Sequence, residues 1–432
     1  MHFLYSLLMA VAFALLLPYF LLRGPRKYLH NLGERLGRVP PEARAGAGGR
    51  KAIWIHAVSV GEVLAAIPLA RALGERFPQF RVVVSTTTQT GQQLARERLD
   101  VAMPVFYFPL DFAFAVRRVL RAVEPALVVI AETEIWPNFL RELRRAGIPA
   151  AFVNGRISAR SARRYQRVAR FDSWFVREVL NDARLWLMQS EADAARLREL
   201  GADEERIAVL GNLKFDLEPP NSGPLVTWLE EQIARQERWP VVVAGSVLDG
   251  EEEHVLAGFD LVQRKWRRAL LVLAPRKPAR FDEAARLIAQ DGWVVQRRSR
   301  SEAGGPLDEN ADVFLLDSLG ELAGCYRIAD AVFVGGSLVA AGGHNILEPA
   351  CFAKPPVFGP HMHNFAEMAK LFLEGMAAVQ VWSGPELGQR WIEIIESPEK
   401  RERMGRAARA LVERNRGATE RTVARLATLF EK

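Results

Sequence analysis

The 432-residue chain reads as an α/β protein with two parallel-sheet domains behind an N-terminal apolar helix. Three observations predict this. From Lys51 onwards, short runs rich in Val, Ile and Leu alternate with helical patterns, the rhythm of strand–helix–strand units with right-handed crossovers. The length exceeds one ordinary core. A Pro/Gly-rich break, Asp216 to Pro224 (DLEPPNSGP), interrupts the rhythm midway and reads as a hinge. The expected organisation is an anchor over 1–22, a linker over 23–50, Rossmann-like domains over 51–218 and 238–415 facing a cleft, and a C-terminal helix over 416–432.

Taken in order, the first 22 residues carry no charged side chain unless His2 is protonated. As a helix they would reach roughly 33 Å, enough to cross a bilayer core. A cleaved signal peptide fits poorly, because Lys and Arg are absent from the leading residues and no small-x-small site follows. The basic flank Arg23, Arg26 and Lys27 predicts a body on the cytoplasmic side. Pro18 keeps open a helix lying in the interface instead.

In the first half, strands are expected over Ala52–Val60, Arg81–Thr86, Ala126–Ala131, Ala150–Val153, Leu185–Gln189 and Ile207–Leu210. Gly61 is expected to break the first of these before a helix over Val63–Arg76. In the second half they fall at Pro240–Ala244, Ala269–Ala274, Trp293–Gln296, Val313–Leu316, Ala331–Val334 and Pro356–Phe358. Pro398 to Lys432 is a long basic helical stretch.

Composition is globular, 49% hydrophobic and 25% charged. Cys325 and Cys351 have neither metal-ligand nor CxxC spacing, which fits a reduced cytosolic body. The net charge of +7 points to anionic partners. No zinc-finger or RNA-binding signature is present, so nucleic acid is not expected.

Chemistry-bearing residues gather where strands end, at the edge where open α/β sheets place ligands. Glu62 follows the first strand, and a carboxylate there also suits the positive end of a helix. Glu132 ends the strand before ETEIWPN; with Glu134 it could form a metal-binding acid-x-acid pair, although no His or third acid clusters beside them. Lys214, after GNL, could place positive charge where negative charge develops. His56, inside the first strand, reads as a hydrogen-bonded core residue rather than a base.

In the second half, Arg276 and Lys277 follow a strand and suit a phosphate. Asp317–Glu321 (DSLGE) holds an equivalent edge, and Ala244–Glu253 (AGSVLDGEEE) another. The glycine-rich turn Phe333–Ala350 would let backbone amides approach an anion, with a helix opening near Asn345 and Glu348 placed for sugar hydroxyls. It is neither GxGxxG nor a Walker loop. Arg156, Arg160, Arg163, Arg164, Arg167 and Arg170 would share one helix face. Charge runs are usually solvated faces, but a basic face also suits phosphates at a membrane.

The ordered strings HAVSVGE, STTTQTG, YFPLD, ETEIWPN, NGRIS, GNLKFD, APRKPARF, GGHNILEPA and GPHMHNF resemble the bacterial 3-deoxy-D-manno-octulosonic acid (Kdo) transferases of lipopolysaccharide assembly. The resemblance runs over nearly the whole chain. It implies the GT-B fold, with an N-terminal acceptor-binding and a C-terminal nucleotide-sugar-binding domain. It implies an inner-membrane enzyme that moves Kdo from CMP-Kdo to a lipid A precursor with inversion and without metal or cofactor. It places the base on Glu62 and transition-state support on Glu132 and Lys214. CMP contacts fall on Pro275, Arg276, Leu319, Gly320, Glu321, Asn345, Ile346, Leu347 and Glu348. One departure is Lys277, where a histidine is expected in many relatives. A GT-B enzyme using another nucleotide sugar and a non-catalytic lipopolysaccharide-binding protein are the alternatives.

Overall fold

The computed structural model describes residues 1–23, 31–46, 49–216, 223–300 and 305–430. Arg26, Lys27, part of the expected linker and most of the expected hinge lie outside the described residues. The chain forms two compact units, Met1–Leu217 with Asn415–Lys432, and Glu218–Arg414.

The first unit is built on β1 (Ala52–His56), β2 (Arg81–Thr86), β3 (Val105–Tyr107), β4 (Pro125–Ala131), β5 (Ala150–Gly155), β6 (Leu185–Met188) and β7 (Ile207–Val209). All pair in parallel, in the order β3-β2-β1-β4-β5-β6-β7. The order turns at β1 and β4, so the loops after these two strands flank the switch point of the sheet. Both faces are covered. Trp54 of β1 is fully buried against Phe106, Phe108 and Phe139, and its indole N–H donates to Ser85 Oγ at 2.7 Å. Losing such a side chain costs about 3–5 kcal/mol. Val63, Leu69 and Leu73 of the following helix pack on the other face.

The second unit has β8 (Val241–Val247), β9 (Leu270–Pro275), β10 (Val295–Arg297), β11 (Val313–Leu315), β12 (Ala331–Val334), β13 (Pro356–Phe358) and β14 (Val379–Gln380). These also run parallel, in the order β10-β11-β9-β8-β12-β13-β14, with β8 and β12 adjacent at the centre. Phe259, Phe333 and Trp391 fill one face.

Three expectations change. The helix Val60–Arg76 begins before Gly61 rather than after it, and β1 stops at His56. Ser59 occupies the N-cap, and the Glu62 carboxylate reaches back to Val58 N and Ser59 Oγ, so Gly61 is held inside the first turn. The C-terminal stretch is two helices, Pro398–Asn415 and Ala418–Ala427, separated at Gly417 with φ 86°. The second of these belongs to the first unit, where Ala418, Val423 and Leu426 join the core beside Leu213.

The third change concerns the anchor. Residues His2–Arg23 do form one helix, with Pro18 inside it. Among the described residues, however, no helix is long and apolar enough to cross a membrane. One side of this helix is instead packed on the first unit. Tyr5 O–H donates to Asp111 Oδ2 at 2.9 Å, Ser6 Oγ donates to Asn138 Oδ1 at 3.1 Å, and the His2 and Phe13 rings meet Phe175 and Phe112. Phe3, Leu8 and Leu15 face outward.

Asp216 ties the returning segment down, accepting from Gly417 N at 2.6 Å and Thr419 N at 2.5 Å. Removing this cap by Asp216→Ala should cost about 1 kcal/mol. Thermal unfolding followed by circular dichroism should then show the first transition lowered by about 2–4 °C.

Candidate active site

Glu62 sits in the first turn of its helix, 8% exposed, at the carboxyl end of β1. Its Oε2 accepts from Val58 N at 2.8 Å and its Oε1 from Ser59 Oγ at 2.9 Å. The loop STTTQTG holds that peptide from behind: Thr88 Oγ1 donates to Val58 O at 3.0 Å and accepts from Gly91 N at 3.1 Å. A Cβ on Gly91 would lie 2.8 Å from Thr88 Oγ1, so glycine is required there. Burial, and then the charge of Glu132, push the Glu62 carboxyl up to about 7.

Glu132 directly follows β4 with φ 55°, an uncommon left-handed conformation for a non-glycine residue, held by its N–H on Val153 O at 2.9 Å. Its Oε1 accepts from Lys214 Nζ at 3.1 Å. A cation thus lies on Glu132, the first acid of the acid-x-acid pair. Burial and Glu132 raise Glu134 as well. Lys214 rides on a 3₁₀ turn, Leu213–Asp216, pinned by Asn154 Oδ1 to Leu213 N and by Asn212 Oδ1 to Lys214 N. The three residues singled out in this half therefore share one neighbourhood at the switch point. His56 is fully buried, stacked on Phe108 at 3.8 Å with Nδ1 3.0 Å from Ser85 Oγ; burial lowers it to about 3, so it is a neutral core group.

In the second unit, Pro275 is the buried end of β9, and the exposed Arg276 donates its N–H to Val247 O at 2.9 Å. Asn345 Nδ2 donates to Glu348 Oε1 at 3.4 Å. Burial pushes Glu348 up to about 7, opposed by that bond and by Arg276, which places Arg276, Asn345 and Glu348 in one cluster. His344 joins it, lowered to about 4 by burial and by Arg276. Glu321 is bonded by Ser318 and Arg298, on the loop where Gly320 takes φ 86° and Leu319 is exposed. Ile346 and Leu347 are wholly buried core side chains, so only their backbone could meet a ligand. The expected helix beyond Asn345 has five residues, Leu347–Cys351.

The glycine-rich turn differs from expectation in one respect. The amides of Gly336, Ser337 and Leu338 donate to the carboxylate of Glu251 rather than standing open. The Arg stripe also divides. Arg156 precedes the helix Ala159–Phe171, bonded through its N–H and C=O to Thr133, and the Arg160 side chain lies outside the described residues. Arg163, Arg164, Arg167 and Arg170 are exposed on the helix.

Residues 30–217 match the family model described as 3-deoxy-D-manno-octulosonic-acid transferase (kdotransferase). A Haemophilus influenzae protein named 3-deoxy-D-manno-octulosonic acid transferase is 35% identical over 413 residues, covering 95% of this chain and 93% of that one. The chain belongs to the Kdo transferase family. A Bordetella pertussis member of the same name is 34% identical over 403 residues, 90% of this chain and 89% of that one. Kdo transferases are glycosyltransferases, so the chain is an enzyme of that class. Among solved structures, a putative UDP-N-acetylglucosamine 2-epimerase from Listeria monocytogenes matches with TM-score 0.57 at 15% identity, over 89% of this chain and 97% of that one. MurG of Acinetobacter baumannii matches with TM-score 0.53 at 13% identity, over 88% and 99%. At such identities the likeness concerns the fold alone, two parallel-sheet α/β domains resembling GT-B glycosyltransferases.

Two residues of this Kdo transferase escaped the sequence reading as individuals. Asp111, inside YFPLD, is buried and accepts from Tyr5, Asn138 N and Phe139 N, capping the helix Pro137–Arg145 that follows ETEIW. Burial raises it to about 7. Glu251 is fully buried. The available signal was an acid inside each quoted string, without any mark of its partners.

The folded pKa of Glu62, about 7, lies above its ordinary 4.5. Protonation therefore favours the folded state: the contribution is complete below pH 4.5 and lost as pH rises through 7. Carbon-13 NMR of labelled glutamate should show Glu62 titrating near 7, and Glu132→Gln should move that midpoint down. A midpoint unmoved by Glu132→Gln would remove the coupling between the two carboxylates.

Proposed function

We propose that this enzyme moves Kdo from CMP-Kdo to a hydroxyl of a lipid A precursor, with inversion and without a metal. The observation that carries the reading is Glu62, a buried carboxyl at the end of β1 pushed up to about 7. A group poised there takes a proton efficiently near neutral pH. The acceptor O–H gives its proton to Glu62 as its oxygen forms a bond to the anomeric carbon, and the bond from that carbon to the CMP phosphate oxygen breaks. Attack opposite the leaving group inverts the centre. Glu132 and Lys214 support charge around the developing transition state, each holding the other in place.

Residues 51–218 serve the acceptor and residues 238–415 the donor. CMP lies against Pro275 and Arg276, against Leu319, Gly320 and Glu321, and against Asn345 to Glu348. Arg276 takes the phosphate charge, and Glu348, pushed up to about 7 by burial, bonds sugar hydroxyls. Lys277 retains the positive charge of its loop. The family membership and the motif order support this donor and acceptor.

The enzyme works at the anionic cytoplasmic face of the inner membrane, seated in the interface instead of through a spanning helix. The outward Phe3, Leu8 and Leu15 of the first helix, the exposed Phe171 and Trp174, and Arg163, Arg167 and Arg170 support this. The first helix and the helix carrying Trp174, Ser173–Asp182, are in direct contact through His2 and Phe175.

Incubated with several nucleotide sugars and lipid A precursor, the enzyme should release CMP from CMP-Kdo alone and yield a product heavier by Kdo on mass spectrometry. Release of UDP from a UDP-sugar would replace the donor assignment. Glu62→Ala should abolish transfer and leave CMP binding and the circular dichroism spectrum intact; turnover close to wild type would exclude Glu62 as the base. Changing Arg163, Arg167 and Arg170 together to Ser should weaken sedimentation with phosphatidylglycerol vesicles. Unchanged sedimentation would leave these arginines as a solvated face.

A further inference from the structure

The second unit buries a carboxylate that the proposed chemistry does not use. Glu251 lies between the loop that follows β8 and the loop that follows β12, the two adjacent central strands of the sheet. It is 0% exposed. Its Oε2 accepts from Leu248 N at 2.9 Å and Gly336 N at 2.6 Å, and its Oε1 from Ser337 N at 2.9 Å and Leu338 N at 2.8 Å. Four backbone amides from two loops 85 residues apart thus converge on one side chain.

A cluster of successive amides around a left-handed residue, here Gly336 with φ 69°, is the geometry in which proteins bind free anions. In this enzyme the protein supplies the anion itself. The consequence reaches the donor residues through two further bonds. Val247, beside Leu248, accepts from Arg276 N at 2.9 Å, and Gly336 O accepts from Gly343 N at 2.7 Å. Glu251 therefore fixes the peptide on which Arg276 rests and the turn from which His344 and Asn345 project. The two loops pack closely enough to exclude a side chain at either glycine: a Cβ on Gly335 would lie 2.4 Å from Ser246 O, and one on Gly336 2.8 Å from the His344 ring.

We propose that Glu251 is the positioning residue of the nucleotide site: its carboxylate fills the amide nest between the two central loops and so holds Arg276 and Asn345 where the cytidine phosphate binds. This rests on the donor reading above. The amides of Gly336, Ser337 and Leu338 consequently bind no substrate phosphate; side chains and the Asn345 segment do so.

The test uses the full chain and CMP. Glu251→Gln keeps the shape but turns an amide N–H₂ towards N–H donors. The dissociation constant for CMP, by calorimetry, and the KM for CMP-Kdo should each rise roughly tenfold or more, while the KM for the lipid acceptor stays unchanged. A residue serving stability alone would lower the folded fraction and leave both constants alone. CMP bound equally by wild type and Glu251→Gln overturns the positioning role while the donor reading stands; wild type that binds no CMP sinks both together. Hydrogen exchange on the wild type needs no variant. The amides of Leu248, Gly336, Ser337 and Leu338 should be protected without nucleotide and unchanged by CMP. Amides that exchange freely and gain protection only with CMP would overturn the proposal.

Discussion

Everything functional in this enzyme depends on the strictly parallel pairing of its two seven-stranded sheets. Parallel strands send every following loop to one edge, so residues far apart in sequence arrive together without any special device. Glu62 after β1, Glu132 after β4 and Lys214 beyond β7 meet in this way. Glu251 after β8 and the glycine turn after β12 do the same in the second unit. In each unit the strands that flank the meeting point are adjacent and central, buried on both faces.

Both units bury a carboxylate at that point, with opposite surroundings. Glu251 receives four backbone amides, two on each carboxylate oxygen. Glu62 receives one amide and one hydroxyl, and it faces Glu132. The surroundings give the two acids different parts: backbone donors hold Glu251 between two loops, while burial and Glu132 push Glu62 up to about 7.

The sequence pattern carried much of this and missed the rest for identifiable reasons. Apolar runs such as RVVVST at Arg81–Thr86 mark strands because both faces of a parallel sheet are buried. The edge strands β3 and β14, three and two residues long, carry too little pattern to be seen. The order of short strings carried family membership. Hydropathy over 1–22 allowed both a spanning helix and one lying in the interface, because hydropathy has no knowledge that Tyr5 finds Asp111 and Ser6 finds Asn138. Glycines in the turn Phe333–Ala350 pointed to amides open to a ligand anion, but the amides of Gly336, Ser337 and Leu338 are held by a side chain 85 residues upstream, beyond the reach of any local pattern. Ile346 and Leu347 belong to a string that the resemblance assigns to binding and yet are core, since a string marks a segment and not the atom that acts.

The return of Asn415–Lys432 to the first unit also sets a timetable for synthesis. The second unit is contiguous and can close as it leaves the ribosome. The first cannot: Leu213 and its neighbours lack Ala418, Val423 and Leu426 until the last helix emerges. At about 5–20 residues per second, the intervening stretch takes roughly 10–40 s to translate. For that time the turn bearing Lys214 waits beside an unfilled apolar face, a nascent state that a chaperone can occupy and that translation speed can lengthen or shorten.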